Sequence, residues 1–267
     1  MEKVRTYLIN MDRDVERLRW MQDVFSTHNI AFERISAVDG SNLSDEQQAY
    51  HLTPERSHLS RAEIGCLLSH IKTWQTFLQS GADYALIFED DIHAQPDLEK
   101  FLGQLWDTID PDEPCVHRLE TFDARITLVR EAKAQIGHRR CAELLSNHAG
   151  TAAYVLTRKS AQLMLTYKDR LRHLPDTAMF DPERRAVEGL TVFQWLPAPC
   201  IQDMLRGEKV GLTSNLASSR SDTRNGIGRP QHPAIDRLKA IFRPLYTRLY
   251  DLAIWPKGQT RKAAKYG

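Results

Sequence analysis

The chain has 267 residues, 42% hydrophobic and 27% charged, with 36 Lys and Arg against 35 Asp and Glu. That apolar share excludes a disordered chain, the length suffices for one large domain, and a net charge of +1 gives no overall basic field for nucleic acid. With no run near 18 apolar residues and no apolar stretch in MEKVRTYLINMDRD, neither a membrane span nor a signal peptide is expected, which implies a cytoplasmic location.

In chain order, Val4, Tyr7, Leu8 and Ile9 predict a strand that ends in the polar stretch 10–14. Val15, Leu18, Met21 or Gln22, and Phe25 follow at helical spacing, and Asn29 closes that helix. "IAFERISAVDG" predicts a second strand ending at Asp39 and Gly40. Strands alternating with helices point to an α/β domain with a mainly parallel sheet. The polar stretch 41–60 holds two caps, Ser44 with Gln47 and Ser60 with Glu63. The second opens a helix with Ile64, Leu68, Ile71, Gln75 and Leu78 on one face. Leu67 and Trp74 widen that face, and Gly81 stops the helix.

"ALIFEDDIH", residues 85–93, is an apolar strand running into Glu89, Asp90 and Asp91, with a helix or turn after Pro96. "GTAAYVLTRKSAQLML" (150–165) is another strand–helix step, and 171–203 reads as active-site loops around one strand. The four cysteines, Cys66, Cys115, Cys141 and Cys200, lack disulfide-framework or zinc-ligand spacing and read as reduced thiols.

The domain is expected to span 1–213, followed by a flexible Ser-, Arg-, Asn-, Gly- and Pro-containing linker at 214–233. Residues 234–267 then form a basic amphipathic tail: Ile235, Leu238, Ile241, Leu245, Leu249 and Leu252 repeat at helical spacing, with a kink at Pro244. Two readings of that tail stand, contact with an anionic membrane surface or a solvated appendage.

In parallel α/β sheets, ligands bind beyond the carboxyl ends of the strands. Asp12, Asp39 and Glu89–Asp91 all fall just after predicted strands, so three acidic ends converge on one crevice. Crowded carboxylates raise one another's pKa unless a cation neutralises them. Mg²⁺ or Mn²⁺ accepts one or two carboxylates and completes its shell with substrate phosphate oxygens. That suits a reaction whose leaving group is a nucleoside diphosphate. Alone, the triplet is equally compatible with a solvated loop or a helix N-cap.

Five blocks sharpen the reading. "YLINMDRDVERLRWM", "FERISAVDG", "LSRAEIGCLLSHIKTWQ", "YALIFEDDI" and "GTAAYVLTRKSA" occur in this order over residues 4–203. Together they resemble glycosyltransferase family 25. The resemblance implies a GT-A-like fold, a UDP-sugar donor, a divalent metal (Mn²⁺ or Mg²⁺), a saccharide or lipid-linked acceptor, and inversion at the anomeric carbon. Carried over by position, it implies Glu89 and Asp91 as the metal pair, with Asp90 beside them on the donor side. Ile9, Asn10, Asp12 and Arg13 match the nucleotide block, and Arg17 either reaches a phosphate or solvates its helix. Asp39 and Gly40 match a further block, where Gly40 also reads as a turn residue needing positive φ. Ser69 and His70 match a donor-side block, against the plain reading of His70 as a packing residue.

The acceptor hydroxyl needs a base opposite the diphosphate, and three acids compete for that role: Glu120, Asp176 and Asp181. The run "LPDTAMFD" departs from the family's P-x-D pattern, so either aspartate is a counterpart, Asp176 first. Glu120 stands alternatively as a donor or acceptor ligand. Thr151 and Ala152 offer room for a sugar or serve tight packing, and Trp195 stacks on an acceptor or belongs to the core. Two other classes stay open, a nucleotidyltransferase and a non-catalytic binding relative. The first would favour a Gly-rich phosphate loop, and "INMDRD" has no glycine.

Overall fold

Three parallel neighbours carry the half of the fold that holds the crevice: β1 (Val4–Asn10), β2 (Glu33–Ser36) and β3 (Tyr84–Glu89), in the order β2-β1-β3. The computed structural model describes residues 3–47, 59–168, 174–183, 187–206, 251 and 253–267. The strands read as near-continuous apolar runs because both sheet faces are covered. Tyr7, Ile9, Ala85 and Ile87 join one core layer, while Leu8, Leu86 and Phe88 alternate into the other. Helix α1 (Val15–Thr27) packs Met21 and Phe25 into the second layer, and Asn29 at φ 51° turns the chain out of it.

Helix α2 (Arg61–Ser80) starts and stops as expected. Ser60 and Glu63 form a capping box, and Gly81 takes φ 76° at the C-cap. The first cap also forms, with reciprocal Ser44–Gln47 hydrogen bonds of 2.9 and 3.0 Å. The buried face of α2 differs from the expected one. Gln75 is exposed, and the buried stripe runs through Leu67, His70, Trp74 and Phe77, with Ser69 and Thr73 beside it. The polar members of that stripe are buried because each finds a hydrogen-bond partner.

The remaining elements are β4 (Ile92–Ala94), α3 (Leu98–Leu105), β5 (Cys115–Arg118), β6 (Glu120–Thr121), β7 (Arg125–Val129), β8 (Ala134–Ile136) and β9 (Arg139–Glu143). Then follow β10 (Ala153–Thr157), α4 (Arg158–Thr166), α5 (Pro175–Phe180), β11 (Thr191–Leu196), β12 (Cys200–Gln202) and β13 (Gln259–Ala263). The main sheet has eight strands in the order β2-β1-β3-β10-β5-β11-β9-β8. It is mixed, and less parallel than expected: β10 runs antiparallel between β3 and β5, and β9 pairs antiparallel with both β11 and β8. Helices cover both faces, with α2, α4 and α5 contributing to one layer and α1 and α3 to the other. The α/β class expected from the sequence is the class that forms.

A second sheet, β4-β12-β6, sits at the end of β3. The linker at 214–233 and residues 234–250 and 252 of the expected tail lie outside the described residues. The end of the chain belongs to the domain body. β13 pairs antiparallel with β7, Ala264 is fully buried, and Arg139 Nη2 donates to the Gly267 carbonyl at 2.7 Å. Among the described residues no helix is long and apolar enough to cross a membrane. The cysteines form no disulfide; Cys115, Cys141 and Cys200 are core thiols.

Candidate active site

A cleft opens at the C-terminal ends of β1, β2 and β3, lined by the first half of α2 and by Gln202. Its lining collects eleven of the residues singled out by sequence: Ile9, Asn10, Arg13, Arg17, Asp39, Gly40, Ser69, His70, Glu89, Asp90 and Asp91. Asp12, Glu120, Asp176 and Asp181 do not line it.

The three acids share the cleft because β3 ends at Glu89 and the chain turns at Asp90–Asp91 into β4 of the second sheet. A strand continuing through them would send alternate carboxylates to opposite faces. One guanidinium nitrogen of Arg17 bridges Asp90 Oδ1 at 2.8 Å and Asp91 Oδ2 at 2.9 Å. Asn10 Nδ2 donates to Asp90 Oδ2 at 2.7 Å, and Gln202 Nε2 lies 3.4 Å from Asp91 Oδ1.

Burial pushes the Asp91 carboxyl up to about 7, against the pull of Arg17 and with the help of Glu89 and Asp90. Asp90 is also raised, again chiefly by burial. Glu89 goes the other way: burial works to raise it, but hydrogen bonds from His70 and Thr151 and the charges of His70 and Arg17 carry it below its ordinary value. Asp90 and Asp91 share one Arg17 nitrogen and burial raises both, and Mg²⁺ or Mn²⁺ suits one or two carboxylates so placed.

Glu89 is held by a directed chain. Trp74 Nε1 donates to Tyr154 Oη at 3.0 Å, and that hydroxyl lies 2.8 Å from His70 Nδ1. The indole N–H can only donate, so the tyrosine hydroxyl links it to Nδ1, and Nε2 faces Glu89 Oε1 at 3.3 Å. Thr151 Oγ1 donates to the same oxygen at 2.6 Å. His70 thus both packs, 1% exposed, and presents a ring nitrogen to the cleft acid. Cys66, one turn earlier on α2, brings its sulfur within 4.8 Å of ligand atoms of His70 and Glu89.

Ser69 accepts from the Val38 amide at 2.9 Å, tying α2 to the segment after β2. Gly40 does not take a positive φ. It is glycine because a Cβ there would lie 1.9 Å from the Arg61 carbonyl oxygen. Gly65 meets the same segment from the other side, where a Cβ would lie 2.6 Å from the Val38 carbonyl oxygen. Asp39 pairs with Arg13 at the rim, and hydrogen bonds from Ser41 lead in lowering its carboxyl. Asp12 turns away to Arg34 at 2.6 Å and Ser36 at 2.9 Å. Its part is indirect: Arg34 Nε also donates to Asn10 Oδ1 at 2.9 Å, which fixes the amide that holds Asp90.

The three candidate bases separate by environment. Glu120 is 1% exposed, and burial carries its carboxyl well above the ordinary range despite Arg118 at 3.7 Å. Its carboxyl is enclosed and committed to structural partners, away from the cleft. It accepts from the Ala152 amide at 2.6 Å, while Arg118 donates to the carbonyls of His148 and Ala149. The pair therefore clamps the loop 148–152 at both ends, and a Cβ on Gly150 would strike the Glu120 carboxyl at 2.7 Å. Asp181 is buried and receives the Glu183 amide at 2.9 Å. Asp176 sits half-buried in the first turn of α5 and receives the Gly150 amide at 3.2 Å. The clamped loop thus joins Asp176, through Gly150, to Glu89, through Thr151.

Trp195 is fully buried against Phe101 and His117, a core residue and not a sugar platform. Arg34, Arg118, Tyr154 and Gln202 also act at the site without a motif of their own. Tyr154 lies inside the "GTAAYVLTRKSA" block and was legible there as a polar group in an apolar strand. The other three work through contacts more than 20 residues apart in sequence and carry no local signal.

The sequence pattern described as "Glycosyltransferase family 25 (LPS biosynthesis protein)" matches residues 3–179. The lacto-N-neotetraose biosynthesis glycosyltransferase LgtB of Neisseria gonorrhoeae is 32% identical over 215 residues, covering 75% of each chain. LgtE of the same organism, also described as a lacto-N-neotetraose biosynthesis glycosyltransferase, is 31% identical over 234 residues, covering 80% of each. Among solved structures, a glycosyltransferase involved in glycosylation of the major capsid of PBCV-1 aligns with a TM-score of 0.41 at 11% identity, over 85% of this chain and 100% of that one.

Proposed function

The chain belongs to glycosyltransferase family 25, and on that premise we propose that it moves a hexose, galactose first, from a UDP-sugar to a saccharide acceptor with inversion at the anomeric carbon. One observation carries this reading: the three carboxylates, Arg17 and His70 converge on one cleft at the ends of three parallel strands. The family's description and the relatives' part in lacto-N-neotetraose biosynthesis favour a growing lipopolysaccharide or lipooligosaccharide chain as the acceptor.

The nucleoside lies along Ile9, Asn10 and the Asp39–Gly40 segment, with its diphosphate toward Arg17 and the acids. Asp91 and Glu89 hold Mn²⁺ or Mg²⁺, which when bound supplies positive charge against the departing diphosphate. Asn10 and Gln202 keep Asp90 and Asp91 oriented, and the His70–Tyr154–Trp74 chain fixes Glu89. Asp176 takes the proton of the acceptor hydroxyl as its oxygen forms the new bond to the anomeric carbon. The bond from that carbon to the diphosphate oxygen breaks on the opposite face, and UDP leaves with the electron pair.

Release of UDP from a panel of UDP-sugars, with and without Mn²⁺, tests this. Turnover of UDP-galactose that requires the metal is expected. Absence of binding or turnover of any nucleotide sugar with any divalent metal would overturn the enzyme reading.

A further inference from the structure

We propose that Arg17 is the resident counter-ion of the acid cluster, that a divalent cation displaces it, and that the released guanidinium then takes the donor's diphosphate. The inference rests on the metal-dependent reading above and assigns Arg17 a two-position role within it. A single nitrogen, Nη2, holds an oxygen of Asp90 at 2.8 Å and one of Asp91 at 2.9 Å. Asp90's second oxygen is taken by Asn10, and among the described residues Asp91's second oxygen has the long 3.4 Å approach of Gln202. Of the two carboxylates that Arg17 grips, Asp91 thus keeps the oxygen more open to a metal. A divalent ion there would sit against the guanidinium, and two cations on one carboxylate repel strongly in a closed cleft.

Arg17 is poised to leave. Its side chain is 14% exposed and lines the cleft, and its Nε has no hydrogen-bond partner among the described residues. The bidentate fork suited to a phosphate is thus only partly used. A diphosphate arriving beside the metal gives the guanidinium a new partner, so metal and nucleotide help each other bind through this residue, and the help is reciprocal.

Mn²⁺ binding to the full chain, followed by electron paramagnetic resonance with and without UDP, reads both halves. In Arg17→Gln, Mn²⁺ alone should bind about tenfold tighter than in wild type, while UDP at saturating Mn²⁺ binds about tenfold weaker and the coupling between them shrinks. Unchanged or weaker Mn²⁺ binding in that variant would overturn the exchange and leave Arg17 a fixed anchor. If the variant does not fold, the wild-type chain still decides. The Arg17 Nε–H resonance, identified by its loss in Arg17→Lys, should shift on adding Mg²⁺ and shift again on adding UDP. A resonance unmoved by bound Mg²⁺ would refute the exchange. Failure of every form to bind metal would instead sink the metal-dependent reading itself.

Discussion

Asn10, Arg17 and Gln202 reach the acidic turn from three different elements, so its carboxylates are distinguished by their partners and not by their order in the chain. Asp91 carries the clearest consequence. Its folded pKa of about 7 lies above its ordinary value, so the folded chain holds that proton more tightly than the unfolded one. Asp91's own contribution to the stability of the metal-free protein should fall as pH rises from about 4 toward about 7, opposing the buried histidines. Asp91→Asn should remove that loss, giving a melting temperature at pH 8 no lower than wild type, while metal-dependent turnover falls at least about 100-fold. On the acceptor side, Asp176→Asn should lower kcat by about 10² to 10⁴ and leave UDP affinity unchanged. An equal loss in Asp181→Asn with Asp176→Asn active would reverse that assignment. The cleft's acids were readable because two of three strand-end signals, Asp39 and Glu89–Asp91, agreed with the blocks, while Asp12 turns away. Arg34 and Arg118 were not, because a surface-type residue that orients another side chain looks in sequence like any other arginine.

At the scale of elements, α2 is the part that both packs and builds the site. Its ends were legible to the residue, since the capping box and the left-handed glycine are local chemistry. Its buried face was not, because Ser69, His70 and Thr73 are buried by hydrogen bonds to distant partners that hydrophobic spacing cannot register. The close approach of α2 to the segment after β2 gives a sharp test. Gly65→Ala would press a methyl against the Val38 carbonyl oxygen at 2.6 Å. The expected cost is about 1 to 3 kcal/mol in urea unfolding. UDP affinity should drop with it, because α2 carries Cys66, Ser69 and His70 into the cleft. Strands β7 to β9 escaped the sequence reading for the opposite reason. For β8 and β9 the stretch "REAKAQIGHRRCAE" is charged and interrupted, and β9 is defined by pairing with β11, as the short β7 is by pairing with β13, far along the chain.

Over the whole molecule, two neutral histidines tie folding to pH. Burial drives both His117 and His148 down to about 3, the second also under the influence of Arg118. Both are depressed from the ordinary value of 6.5, so the unfolded chain binds the extra protons. The stability they support is complete above pH 6.5 and lost as pH falls toward 3, at about 1.4 kcal/mol per pH unit for each titrating histidine. Urea unfolding of Asp91→Asn, in which no carboxylic acid offsets the histidines, should show that slope between pH 6.5 and 5, and His148→Gln in the same background should flatten it. The end of the chain matters at this scale too. β13 covers the edge of β7, so deleting residues 259–267 should lower the melting temperature by several degrees. The proposed function rests on one cleft in which the acids would take a cation and a diphosphate. Isothermal titration of UDP into the wild-type chain and Asp91→Asn, each with Mn²⁺ and without metal, tests that most directly. The account predicts UDP binding to wild type that depends on Mn²⁺ and is lost in Asp91→Asn. Equal UDP affinity in all four titrations would contradict it.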